Sequence, residues 1–145
     1  MFQTERELVI ALISTLEGKK ITIKKVKDFL ILQELEGMIG RPDVVLKPKK
    51  GKKIITIEVK LKNWKRALQQ AYKYRSFSDI SFICMDAQNV KPAIKNIELF
   101  EKSNIGLISI DNQGNVRMHY EPALKKAYVK DLRNIASNKF VEQYE

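Results

Sequence analysis

Between Gly40 and Lys60 the chain reads GRPDVVLKPKKGKKIITIEVK, and this stretch narrows the possible folds more than any other. Two runs rich in aliphatic and β-branched residues flank a lysine-rich turn, the pattern of two short strands joined in sequence. Side chains alternate along a strand. Ile55, Ile57 and Val59 therefore point to one face of the second strand, and Thr56, Glu58 and Lys60 to the other. Asp43 opens the first strand. Pairing of the two strands as neighbours places Asp43 beside Glu58 and Lys60. Two carboxylates and an ammonium then converge, which is what a divalent metal and an activated water require.

The segments around this pair supply a mixed α/β order. Leu8, Val9, Leu12, Ile13 and Leu16 recur at helical spacing over residues 3 to 16. Thr4 and Glu7 form a capping box, and Gly18 is expected as a left-handed cap. From Asp28 to Glu36 we expect a first strand, buried on both faces because Phe29 to Leu32 are all apolar. Gly37 and Gly40 bracket a turn into the Asp43 strand. Asn63 is the N-cap of a helix from Trp64 to Phe77, and Ile80 to Asp86 is a buried central strand. A helix over residues 90 to 102 follows, with Pro92 in its first turn. Ile105 to Ile110 is a strand, and Asp111 to Gly114 turns into a last strand, Val116 to Tyr120. Pro122 starts a basic helix to Ser137 with Leu124, Tyr128, Leu132 and Ile135 on one side. A chain of 145 residues of this kind is expected to form a single domain over residues 1 to 145.

Charge adds a partner. The 27 basic residues against 17 acidic ones leave a net charge of +10. Such an excess suits a polyanion, nucleic acid above all, although a lysine-rich proteome produces it too. Lys47, Lys49, Lys50, Lys52, Lys53, Lys60, Lys62, Lys65 and Arg66 crowd around the acidic strands in sequence, and of these Lys47, Lys49, Lys50, Lys52, Lys53, Lys62 and Lys65 are candidates for phosphate contacts without base specificity. No apolar run reaches the length of a membrane span, and the N-terminus lacks a cationic start and a cleavage site, so no signal peptide is read. The one cysteine, Cys84, sits in an apolar strand, which fits a reducing cytoplasm.

Pro42-Asp43 followed by Glu58-Val59-Lys60 resembles the motif of the PD-(D/E)XK nuclease superfamily, whose restriction-endonuclease-like fold has an αβββαβ core. The resemblance covers roughly residues 1 to 86, and the first six expected elements have that order. Glu5-Arg6-Glu7-Leu8 looks like the opening helix of archaeal Holliday junction resolvases, and Gln70-Ala71-Tyr72-Lys73-Tyr74 is similar to the Gln-x-x-x-Tyr element of RecB-like nucleases. The resemblance implies a Mg²⁺- or Mn²⁺-dependent DNA endonuclease, structure-specific in the manner of the resolvases and acting as a homodimer. Asp43 and Glu58 would hold the metal with the carbonyl of Val59, and Glu5, Glu34 or Glu36 would add a further carboxylate. Lys60 would position the attacking water, Gln69 or Gln70 would orient Lys60 or the phosphate, and Tyr74 would lie near the DNA.

Other chemistries find little footing. His119 is the single histidine, placed on a hairpin surface, and a lone cysteine forms no zinc cluster. No phosphate-binding glycine loop is present. Taken singly, Glu-x-Lys on a half-buried strand and Pro-Asp at a turn are ordinary structural features. The second reading is therefore a non-catalytic nucleic-acid-binding domain on the same scaffold.

Overall fold

The computed structural model describes residues 1–144. Six strands form one mixed sheet in sequence order: β1 (Phe29–Gln33), β2 (Val44–Pro48), β3 (Ile55–Lys60), β4 (Ile80–Asp86), β5 (Gly106–Ile110) and β6 (Val116–Tyr120). β1, β2 and β3 pair antiparallel, β3, β4 and β5 pair parallel, and β6 returns antiparallel. The helices are α1 (Glu5–Glu17), α2 (Trp64–Tyr74), α3 (Lys91–Ile94), α4 (Ile97–Ser103) and α5 (Lys130–Tyr144). The expected αβββαβ order of the first six elements and the α/β class are what the chain adopts. No helix among the described residues is long and apolar enough to cross a membrane.

Each sheet face buries a separate core, as the period-2 alternation requires. Ile55, Ile57 and Val59 join Val44, Leu46, Phe82, Cys84 and Ile108 under Leu8, Leu12 and Leu16 of α1. On the other face, Ile83, Met85 and Leu107 pack against Trp64, Ala67 and Ala71 of α2 and Phe100 of α4. Val45 and Ile54 meet Tyr74, Phe77, Ala136 and Phe140 there. α2 thus crosses the sheet obliquely, its start near β4 and β5 and its end over β2. Burial of both faces explains the near-continuous apolar runs of β4 and β5.

Several expected boundaries move, each for a local reason. Thr4 caps α1 by accepting from the Glu7 amide at 3.1 Å, and Glu7 Oε2 accepts from the amide of Gln3, one residue before the cap. Gly18 has φ −76°, and the left-handed position falls on Lys19 instead. Lys24 and Lys25 both have positive φ and close a tight turn bridged by Ile23 and Val26, so no strand forms before Phe29. β1 stops at Gln33 because Glu34 adopts φ +51°. The 90 to 102 helix is broken at Asn96 into α3 and α4.

The last helix departs furthest. Residues 122 to 129 are not helical, because partners elsewhere engage their amides. The Lys125 amide donates to the Asp79 carbonyl, Ala127 to Asp79 Oδ1, and Tyr128 and Val129 to the carbonyls of Arg75 and Ser76. α5 begins only at Lys130 and buries Ala136 and Phe140, while Leu124, Tyr128 and Ile135 are exposed. Tyr144 closes the outer edge of β1, its hydroxyl accepting from the Ile31 amide and donating to the Ile31 carbonyl.

Candidate active site

Register decides whether the three candidate residues meet. Val44 pairs with Ile57, so the residue before Val44 stands opposite Glu58. Asp43 Oδ2 accepts from the Val59 amide at 2.8 Å, which sets its carboxyl beside that of Glu58. Glu58 is 4% exposed and its Oε1 accepts from the Tyr74 hydroxyl at 2.9 Å. Lys60 follows two residues on, half-buried, with Nζ 3.9 Å from Glu5 Oε1. The pair therefore lies toward the carboxyl end of a parallel strand, where open α/β sheets place their binding crevices.

Glu5 is set there by the start of α1. Its Oε2 accepts from the Leu61 amide at 3.4 Å, so the helix terminus folds against the end of β3. A cavity of about 230 Å³ opens at this junction, lined by Glu5, Arg6, Val9, Gln33, Glu34 and Asp43. Of the three glutamates considered for a further carboxylate, Glu5 and Glu34 thus line the cavity that holds Asp43. Glu36 does not, and instead pairs with Arg41 at 3.6 Å. Glu34 is also held by Arg41, at 3.1 Å.

Burial and mutual repulsion govern the protonation of the pair. Glu58 is pushed up to about 8, first by burial and then by the Asp43 charge, against the opposing pull of the Tyr74 hydrogen bond and Lys60. Asp43 is raised as well, again first by burial, with the Val59 amide opposing. Two carboxyls this close do not both ionise in a metal-free site, so they share a proton at neutral pH. Tyr74 is pushed far up by burial and by the Glu58 charge, and its hydroxyl serves as a fixed donor.

α2 holds Glu58 through Tyr74 and does not line the cavity. Gln70 lies one turn before Tyr74, on the same flank of the helix. Its Oε1 is buried without a hydrogen-bond partner among the described residues, whereas Gln69 is exposed. Of the two glutamines Gln70 is thus the one on the Tyr74 flank, and it does not line the cavity. Tyr74 is placed differently from the expectation. At 2% exposure it cannot lie against DNA, and its role is to hold Glu58. The ring is seated by Gly40, whose φ is +77° and where an added Cβ would stand 2.7 Å from Tyr74 Cε1. Sequence reading found Gly40 as a turn residue and missed this contact, which joins loop and helix far apart in the chain.

The lysines divide. The β2–β3 turn lies at the opposite end of the hairpin from Asp43 and Glu58, about 17 Å away along a five-residue strand. Lys47, Lys49, Lys50, Lys52 and Lys53 therefore do not surround the acidic pair, contrary to their crowding in sequence. Lys49 instead pairs with Asp28 at 3.2 Å, and Lys50, Lys52 and Lys53 line a separate small cavity with Lys24. Lys62 and Lys65 follow Lys60 directly and are exposed at the start of α2. His119 is less exposed than expected: its Nε2 is 2.7 Å from Ser109 Oγ, and burial lowers its pKa.

The donor set suits a hard divalent cation. Asp43 and Glu58 offer two adjacent carboxylates that are costly to leave without a counter-charge, and Glu5 reaches the same end of β3 through the Leu61 amide. Among the described residues no group of three or more acidic, histidine or cysteine side chains stands ready to hold a metal.

No family model matches the chain, and no curated protein matches it. Two solved structures are similar in shape. The SPO1766 protein of unknown function from Silicibacter pomeroyi is 23% identical, with a TM-score of 0.56 over 79% of this chain and 73% of that one. Pyrococcus furiosus SfsA, solved in complex with Ca²⁺, is 12% identical, with a TM-score of 0.48 over 83% of this chain and 65% of that one. The first of these is a likeness of fold, the α/β architecture described above.

Proposed function

We propose that this chain hydrolyses phosphodiester bonds in DNA with Mg²⁺ or Mn²⁺ held by Asp43, Glu58 and the Val59 carbonyl. One observation carries the reading: register sets the half-buried Asp43 opposite the buried Glu58 at the end of β3, with Lys60 two residues along that strand. A binding surface for DNA gains nothing from two carboxylates facing a phosphate, since they repel it. A bound divalent cation would supply positive charge to the phosphate and make a water more acidic.

The chain's own residues have distinct tasks around that centre. Lys60, half-buried, offsets negative charge as it builds on the phosphate and orients the attacking water. Glu5 holds the Lys60 ammonium at the pocket rim, and it would reach a bound metal through water. Gln70, with its unpartnered Oε1, positions water or Lys60. Tyr74 keeps Glu58 in the rotamer that meets Asp43. Lys62 and Lys65 grip the phosphate backbone beside the cut. Two copies cutting opposite strands of a junction are the assembly this reading expects.

The test is cleavage of supercoiled plasmid with and without Mg²⁺ by the wild type and by Asp43→Ala, with a metal-free gel shift in parallel. Nicking that needs the metal and is lost in the variant supports the proposal. Retained DNA binding without cleavage in any metal would overturn it in favour of the binding-domain reading. Four-way junction, flap, single-stranded and linear duplex substrates then rank the preferred structure.

A further inference from the structure

Across α2 from the acidic pocket stands a group of side chains that the hydrolytic chemistry does not use. Tyr72 and Tyr128 are 49% and 60% exposed, high values for residues of their size. The Arg75 guanidinium carbon lies 5.5 Å from the centre of the Tyr72 ring and 4.8 Å from that of Tyr128. The arrangement is fixed from below. Arg75 Nη1 donates to the Ser103 carbonyl at 2.8 Å, and the Tyr128 amide donates to the Arg75 carbonyl at 3.1 Å. The second of these bonds also helps to hold residues 122 to 129 out of the helix their sequence suggests.

The path between pocket and tyrosines is basic. At about 100° per residue, Gln70 and Tyr74 occupy the pocket flank of α2, and Tyr72 and Arg75 the opposite flank. Arg66, Lys73, Gln69 and Lys65 lie on the outer surface between them. α2 carries no acidic residue at all, and Lys125 and Lys126 are exposed just before Tyr128. Cations leading to exposed aromatic faces fit a polynucleotide whose bases are free to stack. A duplex keeps its base faces inside and could use only the cations.

We propose that a single-stranded segment of the substrate crosses the outer face of α2 and stacks a base on the Tyr72–Arg75–Tyr128 group. The inference takes its partner class from the nuclease reading and narrows it to DNA with an unpaired arm.

The test is fluorescence anisotropy in EDTA with a labelled oligothymidine of about 15 nucleotides, an abasic oligonucleotide of the same length and a blunt duplex, a span matching known single-strand sites. The wild type is expected to bind oligothymidine about tenfold more tightly than the abasic strand. Tyr72→Ala/Tyr128→Ala erases that preference without changing abasic affinity, and Tyr72→Phe/Tyr128→Phe keeps it, because stacking needs the rings and not the hydroxyls. Lys65→Glu/Lys73→Glu weakens binding of both strands. Equal wild-type affinity for oligothymidine and abasic strand, an unaltered preference in the double alanine variant, or binding of the duplex alone would each overturn the proposal. Asp43, Glu58 and Lys60 are untouched and no metal is present, so stacking that persists where plasmid cleavage fails would sink the nuclease reading alone.

Discussion

Replacing Glu58 by Gln should stabilise the metal-free protein, and by an amount that depends on pH. The glutamine is isosteric: its Oε1 can accept from the Tyr74 hydroxyl, and its amide can donate to Asp43, so both contacts of Glu58 survive. What disappears is the penalty of a buried acid. Glu58 is raised from 4.5 to about 8 in the fold. Because the folded value lies above the unfolded one, the fold binds a proton that the unfolded chain releases as pH rises past 4.5. Stability is therefore lost progressively from there up to pH 8, and the loss is absent below that window. At about 1.4 kcal/mol per pH unit the full effect at pH 7 would be about 3 kcal/mol, and sharing of the proton with Asp43 reduces it to about 2. That corresponds to a gain of roughly 6 °C in Tm. Thermal unfolding by circular dichroism in EDTA, at pH 4.5 to 8, reads it directly. The gap between variant and wild type should be close to zero at pH 4.5 and widest at pH 8. A gap independent of pH, or a variant less stable at pH 8, would refute the reasoning.

Three further perturbations probe the scaffold of the site. Tyr74→Phe removes a donor that lowers the Glu58 pKa, so the acidic limb of the pH–rate profile should move to higher pH while the fold is kept, as read by plasmid nicking from pH 5 to 9. Gly40→Ala strains a left-handed position and drives a methyl to 2.7 Å from the Tyr74 ring, and it should cost about 1–3 kcal/mol in urea unfolding. Arg133→Ala leaves Asp79, 5% exposed, without its cation and also frees the Lys52 carbonyl, which should cost about 3 kcal/mol in the same assay.

Much of this site was legible in the residues because strand alternation is a strict rule. Asp43 and Glu58 fall opposite one another, with Ile55, Ile57 and Val59 turned into the α1 core as their spacing demands. Trp64, Ala67, Ala71 and Tyr74 likewise mark the buried face of α2. The lysine turn is near the acidic pair in sequence and not in space, because a hairpin carries its turn away from the ends of its strands. The burial of Tyr74 is not legible in its own helix, because its two constraints, Gly40 and Glu58, come from other segments. The early start expected for α5 failed for a similar reason: nothing local to Pro122–Val129 signals that Asp79, Arg75 and Ser76 engage the backbone there.

The central claim is that Asp43 and Glu58 together form a divalent-cation site, and calorimetric titration with Mn²⁺ at pH 7 tests it most directly. Run in two buffers of different ionisation enthalpy, the titration should give one bound ion per chain and release of about one proton, the one the two carboxyls share. Asp43→Asn/Glu58→Gln should abolish both. Mn²⁺ binding that survives in that variant, or a wild type that binds none, would contradict the account.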